Sequence, residues 1–192
     1  MYINLHLTIK LNPIMKKLIL TLIAALVLSC NESTQHQADF DKNNEIFNTH
    51  VETFKNHFLK GFEEENLELM LSMYADTLSW DGPNEGGVTF TKEDLSGVIT
   101  NYLENFDEIK LNDQLYFGGS VYANPMEPFD DPNYIRVVGN WTNVHTATGL
   151  PTTLKWHAVM WFNEDGKVYR GTDWMDVASL EGQISRQLEM NE

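Results

Sequence analysis

Residues 154–176 read LKWHAVMWFNEDGKVYRGTDWMD. Two apolar runs flank Asp165-Gly166, and Asp-Gly between such runs is a strong hairpin signal. A two-residue type I′ turn needs positive φ at both central positions, which these residues tolerate. With that pair as the loop, Ala158 faces Asp173, Met160 faces Gly171 and Phe162 faces Tyr169, all on one face. His157, Val159, Trp161, Arg170, Thr172 and Trp174 fall on the other, because strand side chains alternate. The first face is apolar except for Asp173. A carboxyl among Trp156, Ala158, Met160, Phe162 and Met175 is desolvated, which raises its pKa and suits it to general acid or base work. The alternative is a carboxylate that hydrogen-bonds a backbone group or a neighbour such as Asn140, Thr142 or Tyr102.

Upstream of the hairpin, residues 134–146 read as another strand, joined to it through 147–153. If the strands flanking Gly149-Leu150 pair so that opposing residue numbers sum to about 302, His145 stands opposite His157 and Trp141 opposite Trp161. Two histidines hold zinc only with further ligands, and none stands at suitable spacing, so no metal site is expected. Trp141, His157, Trp161 and Trp174 would then form one aromatic outer face that needs cover, and a homodimer through the sheet would supply it.

A long strand, 109–123, is expected before these, with a bulge at Gly118-Gly119, followed by an acidic, proline-rich surface loop at 124–133. Earlier still, Phe47, Val51, Phe54, Phe58 and Phe62 recur at helical spacing, placing a helix over about Asn44 to Lys60. Asn66 can cap a second helix that turns Leu67, Met70, Leu71 and Tyr74 inward. Leu78-Ser79-Trp80 is a short strand. Thr91 and Asp94 match a capping box that opens a third helix. After the hairpin, Val177, Leu180, Ile184 and Leu188 form a last helix, with Asp176 as its cap. Three helices, a small strand among them, and a long antiparallel meander make an α+β cone with an internal pocket.

The chain has 192 residues and a formal net charge of −15. Residues 1–29 hold three lysines and no acid, so without them the charge is −18. Such a field repels phosphate backbones and argues against nucleic-acid binding. Met15-Lys16-Lys17 followed by the apolar run Leu18 to Leu28 has the form of a signal peptide, and either Met1 or Met15 could be the start. The run is too short for a membrane span. Val27-Leu28-Ser29-Cys30 resembles the lipobox of bacterial lipoproteins. That resemblance implies cleavage before Cys30, lipidation of its thiol, and a membrane-anchored protein of the bacterial cell envelope. Residues 30–43 are polar and aperiodic, a flexible tether ahead of a domain over 44–192.

Within the domain, Tyr74-Ala75-Asp76 through Trp80-Asp81-Gly82-Pro83, Trp141-Thr142 through Gly149-Leu150-Pro151, and Gly166-Lys167-Val168 through Asp173-Trp174-Met175-Asp176 carry a resemblance. They resemble the nuclear transport factor 2-like superfamily, in particular its SnoaL-like branch. The resemblance implies the cone fold and leaves function open, because this fold hosts isomerases, cyclases, hydrolases and non-catalytic binders. Against limonene-epoxide hydrolases, the pocket aspartate falls on Asp173 and a pocket tyrosine on Trp80. Their Arg-x-Asp pair falls near Asn140-Trp141-Thr142, where both charges are missing. Against ketosteroid isomerases, the base falls on Gly82, with Asp81 one position away, and a tyrosine falls on Phe58, which has no hydroxyl.

Two readings follow. One is a lipid-anchored domain that binds a small, mostly apolar molecule, with Trp80, Tyr102, Asn140, Thr142, Trp156 and Met160 as binding residues around Asp173. The other is an isomerase, cyclase or hydrolase with Asp173, aided by Asp81, Asn140 or Thr142, as general acid/base. Neither requires a cofactor: there is no glycine-rich phosphate loop and no G-x-S-x-G element.

Overall fold

The computed structural model describes residues 12–13, 39–83, 88–118 and 131–191. The chain divides into two units, Met1–Lys42 and Asn43–Glu192. In the first unit residues 39–42 are helical, where the tether was expected to continue. Apart from residues 12–13, the expected signal peptide, Cys30 and the rest of the expected tether lie outside the described residues. So do residues 84–87, Gly119 and most of the acidic loop that follows it.

The second unit begins with helix α1, residues 43–63. Its stretch Phe54–Leu59 is π-helical, with the Lys60 N–H reaching back to the Lys55 carbonyl. Bonds that reach five residues back widen the turn, so residues four apart stand in line. Phe54, Phe58 and Phe62 are buried in this way, with ring centroids 5.4 Å and 5.0 Å apart along the row. Helix α2, Leu67–Leu71, is capped by Asn66, whose side chain accepts from the Leu69 N–H. Helix α3, Lys92–Asn105, opens on a capping box of Thr91 and Asp94. Helix α4, Val177–Asn191, closes the chain, and the Asp176 carboxylate accepts from the Ser179 N–H at 3.0 Å.

Six strands form one curved sheet: β1 Tyr74–Asp81, β2 Thr89–Phe90, β3 Phe106–Gly118, β4 Tyr134–His145, β5 Leu150–Phe162 and β6 Val168–Met175. Their order is β2-β1-β6-β5-β4-β3. The sheet is antiparallel except where β1 lies parallel to β6. That parallel pairing starts β1 at Tyr74, four residues before the expected strand, because Tyr74 already sits opposite Val168. Strand β3 carries two register shifts, and in each the extra residue has a positive φ: Glu108 at 52° and Asp113 at 52°. Bulges of this kind bend a strand and increase its twist, curling the sheet towards the helices. Gly118, where a bulge was expected, pairs with Ile135 instead.

The β5–β6 hairpin keeps the expected register from Trp156–Met175 to Trp161–Arg170. Ala158 pairs with Asp173 and Met160 with Gly171. Its loop is one residue longer than a type I′ turn, since Asn163 N–H bonds the Lys167 carbonyl and only Gly166 has a positive φ. A bulge at Tyr169 absorbs the extra residue, so Phe162 faces Val168 and not Tyr169.

The β4–β5 hairpin corrects the expected register. His145 pairs with Leu150, Trp141 with Leu154 and Val138 with His157. The observed pairs sum to 295 where about 302 was expected, an odd difference, so every side chain of β4 changes face. Trp141 turns into the core, 6% exposed, while Asn140 and Thr142 turn away from it. His145 and His157 are not opposite each other.

Candidate functional site

Asp173 sits two residues before the end of β6, a strand flanked by β1 on one side and β5 on the other. Each neighbouring strand sends it an indole. Trp80 Nε1 donates to Asp173 Oδ1 at 2.9 Å, and Trp156 Nε1 donates to Oδ2 at 3.0 Å. Gly171 makes the first contact possible: a Cβ there would lie 2.2 Å from Cε3 and 2.2 Å from Cζ3 of Trp80. The glycine leaves the space that the indole fills, a close approach no larger residue permits.

Asp173 is 6% exposed. Burial pushes its pKa above the ordinary carboxylate value, and the indole bonds from Trp156 and Trp80 oppose that shift without cancelling it. Removing a carboxylate from water costs more than two neutral donors return. Tyr74 is also raised, first by burial and then by the Asp173 charge.

Asp173 lines a cavity of about 370 Å³. Phe58 and Phe62 of α1, Trp141 and Trp156 of the sheet, Ile99 of α3 and Leu180 of α4 supply much of its wall. The aromatic groups are in mutual contact: Phe62 and Trp141 centroids are 5.1 Å apart, Trp141 and Trp156 5.5 Å, Tyr74 and Trp80 6.0 Å. Tyr102 also lines the cavity, and its hydroxyl accepts from Asn143 Nδ2 at 2.5 Å. Asn143 Oδ1 in turn accepts from the Thr152 hydroxyl. Burial raises the Tyr102 pKa.

Of the residues expected at the site, Asp173, Trp80, Tyr102 and Trp156 do line the cavity. Met160 is fully buried on the same face but is not part of the wall. Asn140 donates to Asp113 Oδ2 at 3.1 Å and Thr142 accepts from Asn112 Nδ2 at 2.8 Å, both on the opposite side of β4. Asp81 follows Trp80 on β1 and therefore points the other way; its carboxylate accepts from Thr89 Oγ1 at 2.8 Å. The polar partners that an Asp173-centred reaction was expected to use are thus held outside the cavity. Trp141 and the Asn143–Thr152 pair are the contributors that sequence reasoning missed. Trp141 and Asn143 depend on the face of β4, which no pattern within β4 itself specifies.

On the outer face, the His157 ring lies tilted against Trp174, centroids 5.1 Å apart, and the Arg170 guanidinium lies 4.9 Å from the Trp161 ring centre. Trp174 is 49% exposed. Trp141, expected on this face, is absent from it. Among the described residues no group of three or more histidines, cysteines or acids could hold a metal ion.

No protein-family model matches the chain, and no curated protein matches it in sequence. Solved structures do match in fold. A candidate polyketide cyclase of Xanthomonas campestris pv. campestris superposes with a TM-score of 0.56 at 14% identity, covering 74% of this chain and 98% of that one. A candidate SnoaL-like polyketide cyclase of Shewanella denitrificans gives 0.54 at 10% identity, covering 72% and 98%. An NTF2-like protein of unknown function from Burkholderia pseudomallei gives 0.52 at 18% identity, covering 68% and 92%. The chain therefore has the nuclear transport factor 2-like fold. It is an α+β cone with a pocket between helices and sheet.

Proposed function

We propose that this domain binds a small, mostly apolar molecule in the cone, oriented by Asp173, and is carried on a membrane by a lipid on Cys30. The observation that carries the binding reading is the pairing of both Asp173 oxygens with indole N–H groups at the wall of an aromatic cavity. Such a carboxylate is fixed in place before a ligand arrives, and the ordering cost of binding is correspondingly small. A few placed polar groups in an apolar wall are what ligand cavities commonly present.

The raised Asp173 pKa favours a second reading, an isomerase, cyclase or hydrolase that uses this carboxyl as general acid/base. Against it, Asp81, Asn140 and Thr142 stand outside the cavity and engage other partners. Binding is therefore the better-supported reading. A homodimer through the outer face would now rest on His157, Trp161 and Trp174 without Trp141.

Native mass spectrometry of the Asn31–Glu192 chain tests the binding and pairing parts together. Retained small-molecule mass that falls when Asp173 becomes Asn supports binding, and a doubled subunit mass supports the dimer. Turnover of any retained molecule, lost in Asp173→Asn with affinity kept, would replace binding by catalysis. For the anchor, incorporation of labelled palmitate that survives Cys30→Ser would remove the lipid from the proposal.

A further inference from the structure

Asp173 brings a negative charge to the cavity with no opposite charge beside it. No lysine, arginine or histidine is among the described residues that line the wall. Two indole donors occupy only part of the acceptor capacity of a carboxylate, which has about four lone-pair sites. Trp80, Trp141, Trp156, Phe58, Phe62 and Tyr74 are among the residues that line it. Aromatic faces carry negative electrostatic potential and attract cations, most strongly when the site is desolvated.

These features discriminate among ligands. An anion would meet Asp173, the ring faces and a chain of formal charge −15. A bare metal ion would find too few oxygen ligands, because hard cations need about six. A neutral apolar molecule would fill the space and leave the carboxylate without a countercharge, an expensive arrangement in an apolar surround. A positively charged nitrogen carrying apolar groups meets both demands: the charge faces Asp173 and the rings, and the apolar groups fill the remaining volume. We infer that the cavity takes an organic ammonium ion with an apolar body, held by the Asp173 carboxylate and the surrounding tryptophan rings. This inference rests on the binding reading above and specifies its ligand class.

The test compares two probes of the same shape, phenyltrimethylammonium and tert-butylbenzene, which differ in a charged nitrogen for a carbon. Each is titrated into the Asn31–Glu192 chain and followed by tryptophan fluorescence, and each is then competed against the other. The ammonium ion is expected to bind about tenfold tighter or better. In Asp173→Asn that advantage should fall to within about twofold while tert-butylbenzene binding persists. Equal binding of the two probes, or tighter binding of the hydrocarbon, overturns the inference and leaves the apolar-binding reading standing. An ammonium advantage that survives in folded Asp173→Asn overturns the assignment of the charge to Asp173. Binding of neither probe overturns the inference and the binding reading together. The wild-type comparison stands by itself if the Asp173→Asn chain fails to fold.

Discussion

Both long hairpins of the sheet end in a glycine in the left-handed region, Gly166 at φ 68° and Gly149 at φ 69°. Beyond that they differ in how the strands take up the loop. In the β5–β6 hairpin the loop occupies residues 164–166, braced by the Asn163 side chain, which accepts from the N–H groups of Asp165 and Lys167. One strand then bulges at Tyr169, and the pairing that reaches Asp173 is restored. In the β4–β5 hairpin the loop occupies residues 146–149, and pairing runs without a shift from His145 opposite Leu150 to Tyr134 opposite Trp161. The first hairpin can lose or gain a loop residue and recover by a bulge. The second has no such correction, so its loop length alone decides which face of β4 looks into the cavity. The polar character of the site hangs on that choice: Trp141 and Asn143 inside, Asn140 and Thr142 outside.

The largest effect expected from this difference is on stability. Trp141→Ala should cost about 3–5 kcal/mol, the usual loss for truncating a buried tryptophan, because its ring packs on Phe62, Phe58 and Trp156. Trp161→Ala, on the outer face, should cost markedly less. Urea denaturation of the two variants separates the alternatives. Equally small losses at both positions would place Trp141 on the outer face beside Trp161, with β4 in the opposite register.

Next in size is Gly171→Ala, which probes the better-anchored hairpin. The added methyl cannot coexist with the Trp80 ring where it stands. Overpacking of this kind typically costs about 1–3 kcal/mol. Because the displaced ring also carries the donor to Asp173 Oδ1, the loss should come with a shift in tryptophan fluorescence. A drop in stability with an unchanged emission spectrum would mean that the strain is relieved elsewhere and the indole stays in place.

The two hairpins also explain how far the sequence could be read. The order of elements, the caps at Asn66, Thr91 and Asp176, and the pairing of Ala158 with Asp173 follow from local chemistry, and the structure has them. Asp173 stood out because it is one acid on an otherwise apolar face. Its two indole partners were named as neighbours, but their bonds to it were not foreseen, since Trp80 reaches β6 through a parallel pairing some 90 residues distant in sequence. The face of β4 was lost for a different reason. Its inward Val137 and Trp141 alternate with outward Val138, Asn140 and Thr142, and the aromatic residues of β5 occur on both faces, so side-chain pattern alone does not fix the register that the loop sets.

The pH dependence of stability tests the environment of Asp173 itself. Its folded pKa lies above the ordinary value of 3.8 because burial outweighs the indole bonds. A carboxyl raised by folding favours the folded state while protonated, and that contribution disappears as pH rises through the folded pKa. The stability of the wild type relative to Asp173→Asn should therefore decline as pH climbs from 3.8 through the raised value. Thermal melts of both chains at a series of pH values give the difference directly, and groups common to both cancel. The amide in the variant offers a carbonyl to one indole and a second donor to the other, which adds an offset that pH does not change. A difference independent of pH would mean that the carboxyl is no more desolvated than in the unfolded chain.

The smallest effect is expected at the two loop glycines, where the hairpins are most alike. A Cβ placed on Gly149 or on Gly166 meets nothing within 4 Å, so neither substitution creates a clash. What alanine loses at both is conformational freedom, because an L side chain is disfavoured at φ near 69° or 68°. Gly149→Ala and Gly166→Ala should each cost about 1 kcal/mol, and nearly the same amount. Equal losses by urea denaturation would locate the contrast between the hairpins in strand register and not in turn energetics. A clearly larger loss at Gly149 would mean that its loop does more than set a backbone angle, and that the uncorrected register of β4 depends on that residue holding the turn closed.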